Sequence, residues 1–398
     1  MTKALRQRTS DLSAYMVWLI LTNVGRELPS QKRGFRRRGH VAWAVVIVTG
    51  REDDVPDELS SSHASATQSS THERFQVLSL DGGGAKALFT AHVLACLEAD
   101  LGVHVTDHFD LIAGTSAGGI LALSLGAGLR PAEIVEHYTV LIERVFPRAR
   151  QARRRYLPRA MRPAYSGAAL REVLAEVLGT RLLRESCKRL IIPSWDTQRG
   201  EVHIFKTPHH ARLRRDGQIP MVDIAMATTA TPGYFEAARV NDHHLIDGGV
   251  WANNPSVVAI GEAVSMLDVP LNTIRILNIG TVGSRTNHQL RRDVGRGPTW
   301  ATPAVQLMIT ASSRGTQGTA IHLVGKENFV RFDANVAGDV FTLDRASPTA
   351  LARLAAEQSR VLAPTYTDRF ADHVASPYTP NSQPAQVPGT RTPPGGTS

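Results

Sequence analysis

The sequence is poor in cysteine and lacks long apolar runs near its start. Its 398 residues include two cysteines, Cys96 and Cys187, which are too few for a disulfide framework and favour reduced thiols in a reducing compartment. Two apolar runs, residues 15–21 and 41–48, are each too short for a membrane span of about 20 residues. Neither run is followed by a clear signal-peptide cleavage site. We therefore expect a cytoplasmic protein.

Charge points to an anionic partner without identifying it. The composition is that of a globular chain, with 42% hydrophobic and 20% charged residues, and the net charge is +9. Such a charge attracts anionic lipid, nucleic acid or a phosphorylated ligand. Residues 148–162 carry seven arginines, which indicates a solvated face, a site of docking on anionic head groups, or a site for a phosphate-rich ligand.

Composition divides the chain into four parts. Residues 1–73 are predicted to be a poorly ordered, basic extension that ends in a low-complexity linker, and residues 377–398 a disordered tail rich in Pro, Gly, Ser and Thr. Residues 74–280 form the predicted catalytic core. Residues 281–376 are predicted to be a mainly helical part that packs on this core, and they are a candidate regulatory region.

Apolar runs alternate with glycine turns and helical patterns in the core. Strands are expected at residues 75–80, 109–113, 190–194, 202–207 and 274–279, and helices at 87–100, after residue 116, at 131–146 and at 166–178. A strand–turn–helix order that repeats in this way predicts an α/β fold with a mostly parallel central sheet.

Ser116 is the candidate nucleophile. Residues 114–119 read Gly-Thr-Ser-Ala-Gly-Gly and lie between an apolar run and a helical pattern. A serine flanked by glycines at a strand-to-helix turn is typical of a nucleophile elbow, because the sharp turn has no room for side chains. Gly114 and Gly118 are the supporting glycines. A tight turn without chemistry is the alternative.

A second glycine turn, Asp81-Gly82-Gly83-Gly84, follows the first predicted strand. Successive glycines let backbone N–H groups converge on one point, as an oxyanion hole requires. The alternative is a dinucleotide site, which needs an acidic residue at the end of the second strand. Because Ser116 follows that strand, we favour the oxyanion hole.

The serine needs a base. Several histidines are available, including His322 and His373, but none has a distinctive local sequence. Asp247 is a sharper candidate because it follows a short apolar stretch and begins a turn with Gly248 and Gly249. An ordinary Asp-Gly turn is the alternative interpretation.

Taken in order, these motifs resemble the patatin-like phospholipase family. The Asp-Gly-Gly-Gly turn, the Gly-Thr-Ser-Ala-Gly elbow, the stretch 227–235 and the Asp-Gly-Gly turn at 247–249 carry the resemblance over residues 74–280, and residues 325–333 resemble bacterial members more loosely. The family implies a three-layer α/β/α fold and cleavage of lipid acyl esters through an acyl-enzyme, without a metal.

The resemblance also implies residue roles. Ser116 would be the nucleophile and Asp247 the general base. The oxyanion hole would be formed by Gly82, Gly83 and Gly84, and the supporting positions would be Asp81, Lys86, Gly114, Gly118, Gly248 and Gly249. The chain departs from the family at Lys86 and Ala87, where arginine and glycine are usual. The lysine is expected to change the contact with the lipid head group, and the alanine methyl group is expected to affect the geometry of the glycine turn.

The layout further resembles the patatin-like effectors of bacterial anti-phage signalling systems. This resemblance implies a cyclic dinucleotide activator, action on a phospholipid membrane at its inner face, and a homo-oligomer on activation, with no nucleic-acid polymer as partner. Residues 307–309 are candidates for an acyl cleft. Two other classes stay open: a Ser–His–Asp esterase that uses His322 or His373, and a catalytically weak module that binds a ligand or membrane on the same fold.

Overall fold

The computed structural model describes residues 74–146, 163–284, 301–336 and 341–380, with backbone alone at 301–306. The predicted extension 1–73, the arginine-rich segment 148–162 and residues 381–398 of the predicted tail lie outside the described residues. Within the described ranges, no helix has the length and apolar character that a membrane span requires.

The described residues form eight strands and nine α-helices. The strands are β1 (Phe75–Leu80), β2 (Leu111–Gly114), β3 (Arg189–Asp196), β4 (Glu201–Lys206), β5 (Ala238–Val240), β6 (His243–Asp247), β7 (Ile274–Ser284) and β8 (Phe329–Val336). The helices are α1 (Ala87–Leu101), α2 (Ala117–Gly126), α3 (Pro131–Val145), α4 (Gly167–Leu178), α5 (Met221–Thr229), α6 (Gly249–Ala252), α7 (Ser256–Met266), α8 (Ala301–Val324) and α9 (Pro348–Arg369).

The described strands form one mixed sheet that is mostly parallel at its centre. Its order is β5-β6-β3-β2-β1-β7-β8, and β4 also pairs with β3. Strands β3, β2, β1, β7 and β8 run parallel, whereas β4 and β6 are antiparallel to β3. The carboxyl ends of the parallel strands therefore meet at one edge, where an open α/β sheet places its ligand site.

Apolar residues of the sheet alternate between two helical layers. Leu78 and Ile112 belong to one buried cluster, together with residues of α1, α2 and α9. Val77 and Leu111 belong to a second cluster, with residues of α7 and α8. Because neighbouring residues of a strand point to opposite faces, helices cover both sides of the sheet. The predicted α/β/α fold is confirmed.

The C-terminal part shares the sheet and the core. Strand β7 extends past residue 280, the predicted end of the core. Strand β8 pairs with it in parallel, beginning with Ile276 of β7 opposite Phe329 of β8. Helix α9 packs along α1, and Phe370 of the turn that follows contacts Phe109 with ring centroids 5.8 Å apart. Residues 281–376 thus add a strand as well as helices. Their regulatory role stays a prediction.

Candidate active site

Ser116 lies at the sharp turn between β2 and α2. Its φ of 56° and ψ of −126° are costly for a residue with a side chain, and such strain is concentrated at functional sites. The flanking glycines make the turn possible. A Cβ on Gly114 would lie 2.2 Å from the carbonyl oxygen of Gly118, and a Cβ on Gly118 would lie 2.3 Å from that of Leu80. The predicted elbow geometry is present.

Asp247 reaches the serine because of strand register. Ala113 of β2 pairs with Ile191 of β3, and Ser194, further along β3, pairs with Asp247 at the end of β6. This register brings Asp247 to the level of the elbow, where the Ser116 Oγ donates a 2.7 Å hydrogen bond to the Asp247 Oδ2.

The carboxylate of Asp247 is fixed from both sides. The Thr231 hydroxyl donates to its Oδ2 at 2.6 Å, and the Gly249 N–H donates to its Oδ1 at 2.7 Å. The whole residue is 2% exposed. Burial raises the pKa of Asp247 above its usual range, against the opposing effect of these hydrogen bonds and of Ser116. A carboxylate with a raised pKa is a better proton acceptor than an exposed aspartate.

Two threonines of the 227–235 stretch also support the pair. The Thr228 hydroxyl accepts the Ser116 N–H at 2.9 Å and donates to the Pro193 carbonyl at 2.7 Å. Thr231 is the second, through its bond to Asp247. This stretch is part of the family pattern, but the sequence alone predicts no role for either threonine. Thr228 and Thr231 lie 19 and 16 residues before Asp247 in the sequence, so no local pattern links either hydroxyl to the aspartate.

Two of the three glycines predicted to form the oxyanion hole have N–H groups that bond no described residue. Gly83 and Gly84 line the same pocket as Ser116, and no hydrogen bond joins their N–H groups to any described residue. The Gly82 N–H instead donates to the Asn253 carbonyl at 3.0 Å. It is therefore not free to act as the predicted third donor to an oxyanion. Ala117, at the start of α2, also lines the pocket, and first-turn N–H groups have no partner within their helix.

The departures from the family pattern cause no visible distortion. Ala87 is fully buried and has ordinary helical dihedrals of −67° and −12°, so its methyl group does not crowd the helix start. Burial lowers the pKa of Lys86, and its ammonium forms no ion pair with a described residue. Gly248 is required where it stands, because a Cβ there would lie 2.3 Å from the Pro193 carbonyl oxygen.

An apolar pocket opens beside the serine. It is walled by side chains of α2, α3 and α4 and of the aromatic segment after α5, and its lining includes Ile120, Tyr138, Leu141, Phe146, Leu170, Tyr234, Phe235, Ile309 and Leu343. Of the predicted cleft residues 307–309, only Ile309 is part of the lining. Leu307 and Met308 are 46% and 57% exposed. This apolar lining is of the kind that contacts an acyl chain.

The histidines lie elsewhere. No described histidine lines the pocket. His373 bonds Asp110 at 2.7 Å, and Asp110 also accepts the N–H of Gln76 at the amino end of β1, opposite the end that leads to the glycine turn. Ser313 of α8 bonds Asp81, the residue before the glycine turn. His322 lies nine residues further along this helix, about 14 Å away at about 1.5 Å per residue. Among the described residues, no histidine joins Ser116 and Asp247 in a Ser–His–Asp triad.

Comparison with known proteins places this geometry in a family. Residues 78–260 match the patatin-like phospholipase family. A cGAMP-activated phospholipase of Vibrio cholerae is 32% identical over 329 residues, which cover 74% of this chain and 92% of that protein. The chain belongs to the patatin-like phospholipase family. It is therefore a lipid acyl hydrolase, and the predicted reaction class is confirmed.

Other patatin-like relatives are found in bacteria and plants. A cGAMP-activated phospholipase of Pseudomonas aeruginosa is 34% identical over 280 residues, 69% of this chain and 83% of that protein. Patatin-like protein 2 of Arabidopsis thaliana is 31% identical over 214 residues, 48% of this chain and 52% of that protein. Among the described residues of this patatin-like chain, no group of His, Cys, Asp and Glu side chains is arranged to hold a metal ion.

Proposed function

We propose that Ser116 and Asp247 form a catalytic dyad that cleaves acyl esters of membrane phospholipids. The observation that carries the proposal is the 2.7 Å hydrogen bond between the Ser116 Oγ and the buried Asp247 carboxylate. The pocket beside it is apolar enough to receive an acyl chain. The N–H groups of Gly83 and Gly84, in the same pocket, are available to hold an oxyanion.

The dyad works as nucleophile and base in turn. The Ser116 oxygen attacks the ester carbonyl while Asp247 accepts its proton, and the N–H groups of Gly83 and Gly84 stabilise the oxyanion that forms. The C–O bond to the lysolipid alcohol then breaks, and the proton held by Asp247 passes to the leaving oxygen. Water next attacks the acyl-serine, giving its proton to Asp247. The fatty acid leaves, and the proton returns to Ser116.

The role of Asp247 predicts an acid limb in the pH profile. Activity is lost as the pH falls through the raised pKa of Asp247, because the protonated carboxyl accepts no proton. The Thr231 hydroxyl bond lowers this pKa, so Thr231→Val is expected to move the acid limb of kcat/KM to higher pH. The measurement is a pH–rate profile on a soluble ester.

A threonine outside the site controls for loss of a hydroxyl. Thr139 on α3 bonds only the carbonyl of Val135 in its own helix, at 2.8 Å, so Thr139→Val should keep the wild-type profile. An acid limb that stays in place in Thr231→Val would count against Asp247 as the base.

We infer that a cyclic dinucleotide activates this enzyme. Two relatives that this chain matches over 92% and 83% of their lengths are named cGAMP-activated phospholipases. The net charge of +9 suits an anionic ligand. In this proposal the activated enzyme acts on the inner face of the membrane as a homo-oligomer, and its activity serves anti-phage defence.

The C-terminal part offers a route for such control. The Leu343 carbonyl accepts the Ala85 N–H at 2.7 Å, directly after the glycine turn. Leu343 also lines the pocket. The neighbouring Asp344 accepts a 2.7 Å hydrogen bond from Tyr165, whose ring contacts Phe146 and Tyr234 of the pocket wall. Residues 281–376 are thus the proposed regulatory region.

Fatty-acid release from phospholipid vesicles tests activation. The wild-type protein alone should be nearly inert, and cGAMP should raise its rate at least about tenfold, a coupling in the usual range for allosteric effectors. Cyclic GMP serves as the matched nucleotide control and Ser116→Ala as the background. Light scattering on the same samples should show a mass increase with cGAMP. Full activity without any nucleotide would overturn the activation proposal.

A further inference from the structure

We propose that Arg331 is a positioning residue for the oxyanion turn and that it acts through Asp81. The proposal rests on the proposed function, in which Gly83 and Gly84 donate hydrogen bonds to the oxyanion. Arg331 lies on β8, outside the pocket lining. Asp81 is the residue immediately before the three glycines. The two are joined directly, since the Arg331 Nη2 lies 3.0 Å from the Asp81 Oδ2.

A buried polar network surrounds this ion pair. Asn278 of β7 donates to the Asp81 Oδ1 at 2.7 Å, and Ser313 of α8 donates to its Oδ2 at 2.8 Å. Arg331 also donates to the side-chain oxygen of Asn278 and to Asp333 at 3.0 Å. Every oxygen of the Asp81 carboxylate therefore has a partner, and the partners come from three different elements.

The network is shielded from water. The side chains of Asp81 and Arg331 are 3% and 14% exposed. Burial raises the pKa of Asp81, and the charge of Arg331 opposes that rise. A buried carboxylate that loses its cation is strongly disfavoured, so it must take up a proton or move. Gly280 of β7 leaves space for the guanidinium, because a Cβ there would lie 2.7 Å from the Arg331 Nη2.

The position of Asp81 sets the direction of the glycine turn. Its N–H donates to the Ile279 carbonyl at 3.0 Å, and the next residue, Gly82, donates to Asn253 at 3.0 Å. With these two backbone bonds and the fixed Asp81 side chain, Gly83 and Gly84 have little freedom. An oxyanion hole works only when its donors are in place before the reaction. Removing the guanidinium releases one anchor of that arrangement.

The expected cost is large because catalysis is sensitive to small displacements. A shift of about 1 Å in a reacting group lowers the rate about 100-fold, and loss of one oxyanion donor lowers kcat about 100- to 1000-fold. We expect Arg331→Gln to lower kcat about 100-fold and to leave KM within about threefold. Arg331→Lys keeps the charge but lacks the planar, two-pronged donor of arginine. Its kcat should therefore lie between that of the wild type and that of Arg331→Gln.

The double variant Asp81→Asn/Arg331→Gln tests the route through Asp81. If Arg331 acts through that carboxylate, removing both charges should cost no more in kcat than Arg331→Gln alone. Independent effects would instead multiply. The matched control is Lys206→Gln, which breaks a second buried ion pair, Lys206 with Glu262, whose side chains are 17% and 4% exposed. Neither of these residues lines the pocket.

The assay separates positioning from folding. Each variant is titrated with a fluorophosphonate, so that kcat on a soluble ester is expressed per reactive serine, with cGAMP present throughout. Binding of a trifluoromethyl ketone, which forms a tetrahedral adduct with the serine, is measured alongside. The proposal expects Arg331→Gln to bind this adduct-forming ketone about 100-fold more weakly, and Lys206→Gln to bind it as the wild type does.

The outcomes are distinct. An Arg331→Gln variant with wild-type kcat per reactive serine overturns the proposal, even if its melting temperature falls. Equal losses in Arg331→Gln and Lys206→Gln would show a general packing effect and overturn it as well. A wild-type protein that neither reacts with the phosphonate nor hydrolyses the ester would overturn the proposed function itself, and with it this inference.

Discussion

Replacing Ser116 with alanine is expected to lower ester hydrolysis about a millionfold, the loss seen when a hydrolase is deprived of its serine nucleophile. Ser116 is 7% exposed, and its hydroxyl is hydrogen-bonded to the proposed base Asp247. Alanine keeps the Cβ of the elbow and should leave the fold intact. The measurement is fatty-acid release from vesicles with cGAMP present, together with a thermal melt.

A buried serine in the helix that follows the elbow is the control for this substitution. Ser124 of α2 is 1% exposed and lies outside the pocket lining, so Ser124→Ala should keep wild-type kcat. If Ser116→Ala retained more than about one per cent of wild-type activity, an acyl-enzyme on this residue would be excluded.

Asp247→Asn is expected to lower kcat about 1000- to 10,000-fold. General-base catalysis contributes about 100- to 10,000-fold, and loss of the aspartate in a serine triad costs about 10,000-fold. The amide is nearly the same size as the carboxylate but accepts no proton from Ser116. Because Asp247 acts directly on the serine in this site, the effect should lie at the upper end of that range. The measurement is kcat on a soluble ester per mole of folded protein, with cGAMP present.

Three matched variants complete this test. Asp110 is a buried aspartate, 6% exposed, near the amino end of β1, and Asp110→Asn should keep wild-type kcat per reactive serine. His373→Ala and His322→Ala should do the same. A loss of 1000-fold in either histidine variant, with little effect of Asp247→Asn, would favour the Ser–His–Asp mechanism instead.

The fold was predictable where the sequence pattern is local. Strand β1 and helix α1 follow from an apolar run and a helical pattern separated by glycines, and both lie close to their expected positions. Strand β8 was not predicted, because its place depends on pairing with β7 across the intervening helix α8. Such non-local pairing leaves only a weak signal in a short segment.

The site was predictable as far as its motifs extend. Ser116 and Asp247 stand in glycine turns that the sequence shows directly, and the register of β3 and β6 then brings them into contact. The sequence did not indicate that the Gly82 N–H is taken by Asn253. It also did not indicate the pairing of Asp81 with Arg331. Both contacts join residues that are far apart in the chain, and each depends on the packing of other elements.

The central claim is that Ser116, activated by Asp247, attacks the substrate. The most direct measurement is labelling of the cGAMP-treated protein with a fluorophosphonate, followed by peptide mapping of the adduct. The account predicts one adduct, on Ser116, in the wild type and in Asp110→Asn, and none in Asp247→Asn over the same period. An adduct on another residue, or equal labelling of Ser116 in Asp247→Asn, would contradict it.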